Sequence, residues 1–326
     1  MCKLRLPVKL TFPPNAQCLV SPNWKNKTVP KKSSPKVETL LNEPTLESAF
    51  VGGVEIYNGD ANELLKKLPD NSIDLAIADP PYGASTKTPT SLPDGHGLKG
   101  FGGAWKAADH KWDLLEPLEQ LDAVANWMSE LKRVVKPEGS IWIHGSYHNL
   151  GFVNVVCQLL ELEIINEVVW FKRNAMPNLR GSRLTASHEG ILWIHTGGKK
   201  RNYRFNYEKI KELGYEGDSL KNPGKQMRTV WDIPNNKTKY ELSFGSHPTQ
   251  KPERVIQRII DIAAPEEGVV LSPFLGGGTD LVVAMRNGLR GIGFEIEKEY
   301  FDLSKRRLEG EIASKESQLP LEAEGK

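Results

Sequence analysis

Cysteine is scarce in this chain of 326 residues, which holds only Cys2, Cys18 and Cys157, far apart. That spacing excludes a disulfide framework and offers no metal-ligand pattern, so no metal is expected and a reducing compartment is the default. Long apolar runs are missing too. Every apolar stretch is short, and the N-terminus lacks the continuous apolar segment of an export signal, which argues against membrane insertion and secretion. Nor is there a strong global field, because 43 basic residues nearly balance 41 acidic ones for a net charge of +2. Affinity for a polyanion must therefore come from local clusters. The length suits one α/β catalytic domain with insertions.

What is present centres on Asp79-Pro80-Pro81-Tyr82. The preceding run, Ile73–Ala78, is mostly apolar and reads as a strand buried on both faces. Two prolines stop it, since each removes a backbone donor and fixes φ, so Asp79 opens a rigid turn at the C-terminal edge of a parallel sheet, where ligands bind. The four residue types suit an exocyclic amine. The lone pair of such an amine is delocalised into its ring, so a site that alkylates it must accept its N–H hydrogen bonds and aim the nitrogen. Asp79 offers a carboxylate, a Pro80 or Pro81 carbonyl a second acceptor, and Tyr82 a face for an extruded base, a stacking contact worth about 1–3 kcal/mol.

With this tetrapeptide the chain resembles the amino-group DNA methyltransferases, which carry D/N/S-P-P-Y/F/W and use S-adenosylmethionine (AdoMet). The resemblance covers roughly residues 54–309. His247-Pro248-Thr249-Gln250-Lys251-Pro252, opening an amphipathic helix, matches the family's HPTQKP element, which implies that His247, Thr249 and Lys251 help hold the methionine portion of AdoMet. Ser272-Pro273-Phe274-Leu275-Gly276-Gly277-Gly278-Thr279-Asp280 lies between a strand and a helix, where a glycine turn lets a ligand approach closely. It resembles the family's D-P-F-x-G-S-G-T-T loop, implying cofactor contacts from Ser272, Phe274, Gly276, Gly278 and Thr279. Glu295, an acid ending the next strand, is placed to accept ribose hydroxyls. Asp60 ends an earlier strand and serves either as an acid near the adenine ring or as a helix N-cap.

Two departures stand out: Ser272 replaces the usual Asp and Asp280 the usual Thr. A lost charged hydrogen bond would weaken cofactor binding by about 1.5–3 kcal/mol. These departures keep open a catalytically weakened DNA-binding homologue, beside the alternative of a cytosine-N4 enzyme.

The motif order, tetrapeptide first and glycine loop later with a basic insertion between, is the permuted β-class arrangement. The resemblance therefore implies an α/β, Rossmann-like AdoMet-dependent methyltransferase sheet, circularly permuted, with an inserted target-recognition region. Residues 1–50, rich in Pro, Lys, Ser and Asn, read as a loosely ordered basic arm. The catalytic half covers 51–195, including a glycine- and aromatic-rich flexible loop at 83–113 whose Lys111-Trp112-Asp113 resembles the family's W-D element. Leu118–Val135 reads as a helix ended by a Lys136–Gly139 turn, and His148 as an ordinary loop histidine. The Lys172–Glu189 connection, with Arg173, Asn174, Asn178, Arg180 and Arg183, suits a DNA-facing loop. Residues 196–245 form the expected target-recognition insertion, where Lys and Arg interleave with Tyr203, Phe205, Tyr207, Tyr215 and Trp231 as a nucleic-acid surface would. An AdoMet-binding half at 246–310 and a charged tail at 311–326 complete the chain.

Asp at the head of the tetrapeptide favours adenine N6 over cytosine N4. The expected partner is double-stranded DNA in a bacterial or phage-encoded, cytoplasmic setting, with a homodimer and a restriction endonuclease acting on the same site left open.

Overall fold

The computed structural model describes residues 46–82, 116–177, 182–197, 201–215 and 224–318. All lie in one compact unit, Leu40–Lys326. The expected arm up to residue 45, the loop at 83–113 with its Lys111-Trp112-Asp113, Asn178, Arg180 and the last eight residues lie outside the described residues.

The chain runs through β1 (Ser48–Val51), β2 (Val54–Asn58), α1 (Ala61–Leu65), β3 (Ile73–Ala78), α2 (Pro117–Val134), β4 (Val135–Gly145) and α3 (Leu150–Leu159). It continues with β5 (Glu163–Phe171), β6 (His188–His195), α4 (Tyr207–Leu213), β7 (Val230–Asp232), α5 (Glu253–Ala263), β8 (Val269–Ser272), α6 (Thr279–Arg286), β9 (Arg290–Glu295) and α7 (Lys298–Gln318). The strands form a single sheet in the order β1-β2-β9-β8-β3-β4-β6-β5-β7. From β2 to β4 all neighbours are parallel, whereas β6 is antiparallel to both β4 and β5. Helices α1, α2 and α3 pack together in one layer and α4 to α7 in another.

Strand order decides where a ligand can bind. From β3 the chain crosses to β4 on one side, and from β8 to β9 on the other, so the direction of winding reverses between β8 and β3. These two strands are direct neighbours, with Leu75 opposite Val270 and Ala76 opposite Leu271. A crevice opens at the carboxyl ends of strands at such a reversal. The turns that leave β3 and β8 there are the Asp79 tetrapeptide and the glycine bend, so two stretches nearly two hundred residues apart meet at one rim.

Four expectations need correction. Order begins within the segment read as the loosely ordered arm, because β1 pairs with β2 through a two-residue Gly52-Gly53 turn, both residues at positive φ (+59° and +87°), which the right-handed twist of a hairpin favours. Lys136–Gly139 is not a turn that ends a helix. α2 passes directly into β4, and a register shift from Ile73–Val135 to Leu75–Ser140 accommodates the extra residues, with Lys136 to Glu138 left at the surface. Third, aromatics assigned to a nucleic-acid surface are partly core. Trp231 on β7 is 1% exposed and stacks on Trp142, which stacks on Trp193 at 5.0 Å, while Tyr203 and Phe205 pack edge-on or tilted against Trp193. Tyr215 donates to Asp261 at 3.0 Å on α5. Fourth, the tail is helical to Gln318, because Glu311 is buried in an ion pair with Arg286.

Candidate active site

The cavity at the β3–β8 rim has a volume of about 370 Å³. Its lining includes Asp79, Pro80, Pro81, Tyr82 and Lys251 together with Phe274, Gly276, Thr279, Asp280, Glu295, Asp60 and Trp127.

Asp79 is held through both of its carboxylate oxygens. Its Oδ2 accepts from Lys251 Nζ at 2.6 Å and its Oδ1 from the Tyr82 hydroxyl at 2.8 Å. The Tyr82 carbonyl accepts from Gln120 Nε2 at 3.3 Å, which ties the tetrapeptide to α2. The Lys251 ammonium also lies 5.3 Å above the Tyr82 ring and 3.6 Å from Glu189. Burial opposes its charge, but Asp79 and Glu189 overcome that cost and raise its pKa. Tyr82 is pushed well above its ordinary value, by burial first and then by the two carboxylates, so it is a phenol that donates.

The glycine bend follows β8. Gly276 adopts a left-handed φ of +53°, which a side chain would strain, and donates its backbone N–H to Glu295 Oε2 at 2.7 Å; the His247 ring lies beside it. Glu295 Oε1 accepts from the Glu297 N–H at 2.8 Å, so its carboxylate is held in place at the end of β9 while still lining the cavity. Burial nonetheless raises its pKa. Arg307 on α7, buried, donates to the Gly277 carbonyl, to Thr279 Oγ1 at 3.0 Å and to Glu253 at 3.1 Å, tying the bend to the start of α5.

The structure does not place every expected residue alike. Asp60, Asp79, His247, Thr249, Lys251, Phe274, Gly276, Thr279 and Glu295 line the cavity. Asp60 is also the N-cap of α1, its Oδ1 accepting from the Asn62 N–H at 2.8 Å. His247 packs edge-on to Tyr300 with ring centres 4.2 Å apart. Lys251 sits on the Asp79 carboxylate. Gly278 lies outside the lining, turned beneath the bend against Ser304, and Ser272 is fully buried behind the wall.

Ser272 nonetheless explains the departures from the motif. Its hydroxyl donates to Asp280 Oδ2 at 2.7 Å, and Asp280 lines the cavity. A carboxyl group thus stands in the first turn of α6, hydrogen-bonded to the side chain at position 272. Burial pushes the Asp280 carboxyl up to about 7, with the Ser272 bond pulling the other way. Among the described residues no hydrogen bond reaches its second oxygen.

Sequence reasoning missed three contributors. Val124, Trp127 and Gln120 of α2 wall the cavity, Trp127 meeting Phe274 edge-on at 5.6 Å; their only signal was an apolar helix face. His144 ends β4 fully buried, with neither ring nitrogen hydrogen-bonded, and burial lowers its pKa to about 4, which keeps it neutral. The third is Glu189 at the start of β6, which accepts from Lys172 at 2.7 Å. His148 is exposed and packs on Tyr147.

Sheet order and cleft together define a Rossmann-like methyltransferase with permuted motif order. A profile of the DNA methylase family (N6_N4_Mtase) matches residues 73–306. The Type II methyltransferase M2.DpnII of Streptococcus pneumoniae is 38% identical over 78% of this chain and 90% of its own length. The Type II methyltransferase M.HinfI of Haemophilus influenzae is 36% identical over 78% of this chain and 67% of its own. Among solved structures, the cytosine-N4-specific PvuII DNA methyltransferase superposes with a TM-score of 0.58 at 19% identity, covering 78% of this chain and 86% of that one. The chain belongs to the DNA methylase family. Among the described residues no helix is long and apolar enough to cross a membrane, and no cluster of His, Cys, Asp or Glu is arranged to hold a metal.

Proposed function

We propose that the chain transfers a methyl group from AdoMet to the N6 amino group of an adenine flipped out of duplex DNA. The observation that carries this reading is Asp79, a carboxylate fixed by Lys251 and Tyr82 on the wall of the same cavity as the glycine bend.

The residues present fit the donor. Glu295, anchored by two backbone N–H groups, has lone pairs left for ribose hydroxyls, and Phe274 with Trp127 forms an apolar wall for a purine. Asp280, with one oxygen unpartnered, suits an ammonium. His247 borders the bend, Thr249 is paired with it, and Asp60 also lines the cavity. AdoMet supplies a methyl carbon on a positively charged sulfur, so the amine needs no metal to be methylated.

The remaining work falls to the tetrapeptide. Tyr82 offers its ring to the extruded base, while Asp79 and a Pro80 or Pro81 carbonyl accept the amino hydrogens. These contacts hold the nitrogen lone pair toward the carbon. Bound AdoMet would supply the methyl carbon and retain the sulfur electron pair, while Asp79 would hold the amino group and receive the proton that the methylated nitrogen gives up, passing it to water.

Site selection is assigned to residues 196–245 and the Lys172–Glu189 connection, where Arg173 and Arg183 stay exposed, Arg183 donating to the Tyr147 hydroxyl at 3.1 Å. The protein acts in a bacterial or phage-infected cytoplasm. Kinship with Type II methyltransferases supports a restriction endonuclease counterpart for the same site, and a homodimer is testable by light scattering.

Tritiated methyl transfer to unmethylated duplex DNA tests the reading. Label in DNA from the wild type, lost in Asp79→Ala, supports it; DNA retention without label points to a binding protein.

A further inference from the structure

The cleft holds more buried charge than the proposed transfer uses. Two carboxylates, Asp79 and Glu189, face two shared donors. Lys251 Nζ stands 2.6 Å from Asp79 Oδ2 and 3.6 Å from Glu189 Oε2. The Tyr82 hydroxyl repeats the pattern, 2.8 Å from Asp79 Oδ1 and 3.4 Å from Glu189 Oε2. Glu189 reaches this place from the start of β6, beside the β4 end that carries His144.

This arrangement poses a problem for the amine. Both oxygens of Asp79 already accept, one of them from an ammonium, so the carboxylate is a weakened acceptor for an incoming amino group. Lys251 cannot simply withdraw, because it is 7% exposed and an unpaired buried charge costs several kcal/mol. It needs a second acceptor within reach. Glu189 is built as one: Lys172 holds its Oε1 at 2.7 Å, leaving Oε2 turned toward Lys251 and Tyr82. Closing 3.6 Å to a charged hydrogen bond of about 2.8 Å takes a movement of under an ångström. His144, neutral and without a hydrogen bond, adds no rival charge.

We infer that Glu189 is a positioning residue that takes over Lys251 and the Tyr82 hydroxyl when the target base arrives, freeing Asp79 to accept the amino hydrogens. Ionisation supports the role. Burial alone would raise the Glu189 carboxyl, yet Lys251 and Lys172 hold it down to about 2, so it is a carboxylate at every working pH. The inference rests on the amino-methylation reading and names how its acceptor is released.

The full chain and its Glu189→Gln variant are compared in single-turnover transfer of tritiated methyl to unmethylated duplex DNA, with AdoMet affinity measured alongside. The transfer rate is expected to fall about tenfold or more while the AdoMet Kd stays within about twofold. Glu189→Asp, which keeps the charge, should recover part of the rate. In a Lys251→Met background no ammonium needs taking over, so Glu189→Gln should cost less than about threefold further. Undiminished transfer by Glu189→Gln, or effects that simply add across the two positions, overturns the inference. A wild type that transfers no label overturns instead the methylation reading beneath it.

Discussion

Asp280→Asn removes a charge from the cavity while keeping the shape that meets Ser272. If the Asp280 carboxylate receives the cofactor's ammonium, the variant loses a charged hydrogen bond worth about 1.5–3 kcal/mol. At about 1.4 kcal/mol per tenfold, the Kd for AdoMet should rise by roughly one to two orders of magnitude. Titration calorimetry above about pH 7 reads this directly, because the carboxyl, raised to about 7 by burial, is then largely ionised. The same group carries a pH signature of known sign. An unfolded aspartate titrates near 3.8 and the folded one near 7, so the stability it contributes is fully present below about pH 4 and is lost as the pH rises through 7. AdoMet binding follows the opposite course, strengthening from about pH 6 toward neutrality as the carboxylate forms. Asp280→Asn should flatten both dependences. An unchanged Kd, or a binding pH profile that survives the substitution, would refute the assignment of Asp280 and reopen the weakening anticipated from the altered motif.

Other consequences are open to simple measurement. Trp231→Ala removes a fully buried ring from the Trp142 stack and should cost about 3–5 kcal/mol in urea unfolding; a cost below about 1 kcal/mol would return Trp231 to the surface. Gly276→Ala places a Cβ at a φ of +53° against His247 and should weaken AdoMet binding, read by calorimetry, more than it lowers the melting temperature. Arg307→Met leaves the Gly277 carbonyl and Glu253 without their buried partner, and is expected to destabilise the fold by about 3 kcal/mol or more, checked by thermal unfolding.

The site was legible where chemistry is local. Asp79-Pro80-Pro81-Tyr82 announces itself by composition and by the apolar strand before it, and the HPTQKP and glycine segments do so by residue type next to a helix start. What escaped notice depends on distant pairings. Asp280 reads as a departure from a motif until Ser272 is seen bonded to it across eight positions. Glu189 reads only as the end of the Lys172–Glu189 connection because its partners, Tyr82 and Lys251, are respectively 107 residues before it and 62 after it. Trp231 sits among lysines and arginines, so its neighbourhood in sequence is polar while its neighbourhood in space is Trp142. The hairpin at Gly52-Gly53 was missed although its turn chemistry was in plain view, because the basic segment before it masked a strand of only four residues.

The most direct test is the identity of the modified base. Duplex DNA incubated with AdoMet and the full chain, digested to nucleosides and analysed by mass spectrometry, is predicted to contain N6-methyladenine, with none formed by Asp79→Ala. N4-methylcytosine as the product, or N6-methyladenine made equally well without the Asp79 carboxylate, would contradict the account.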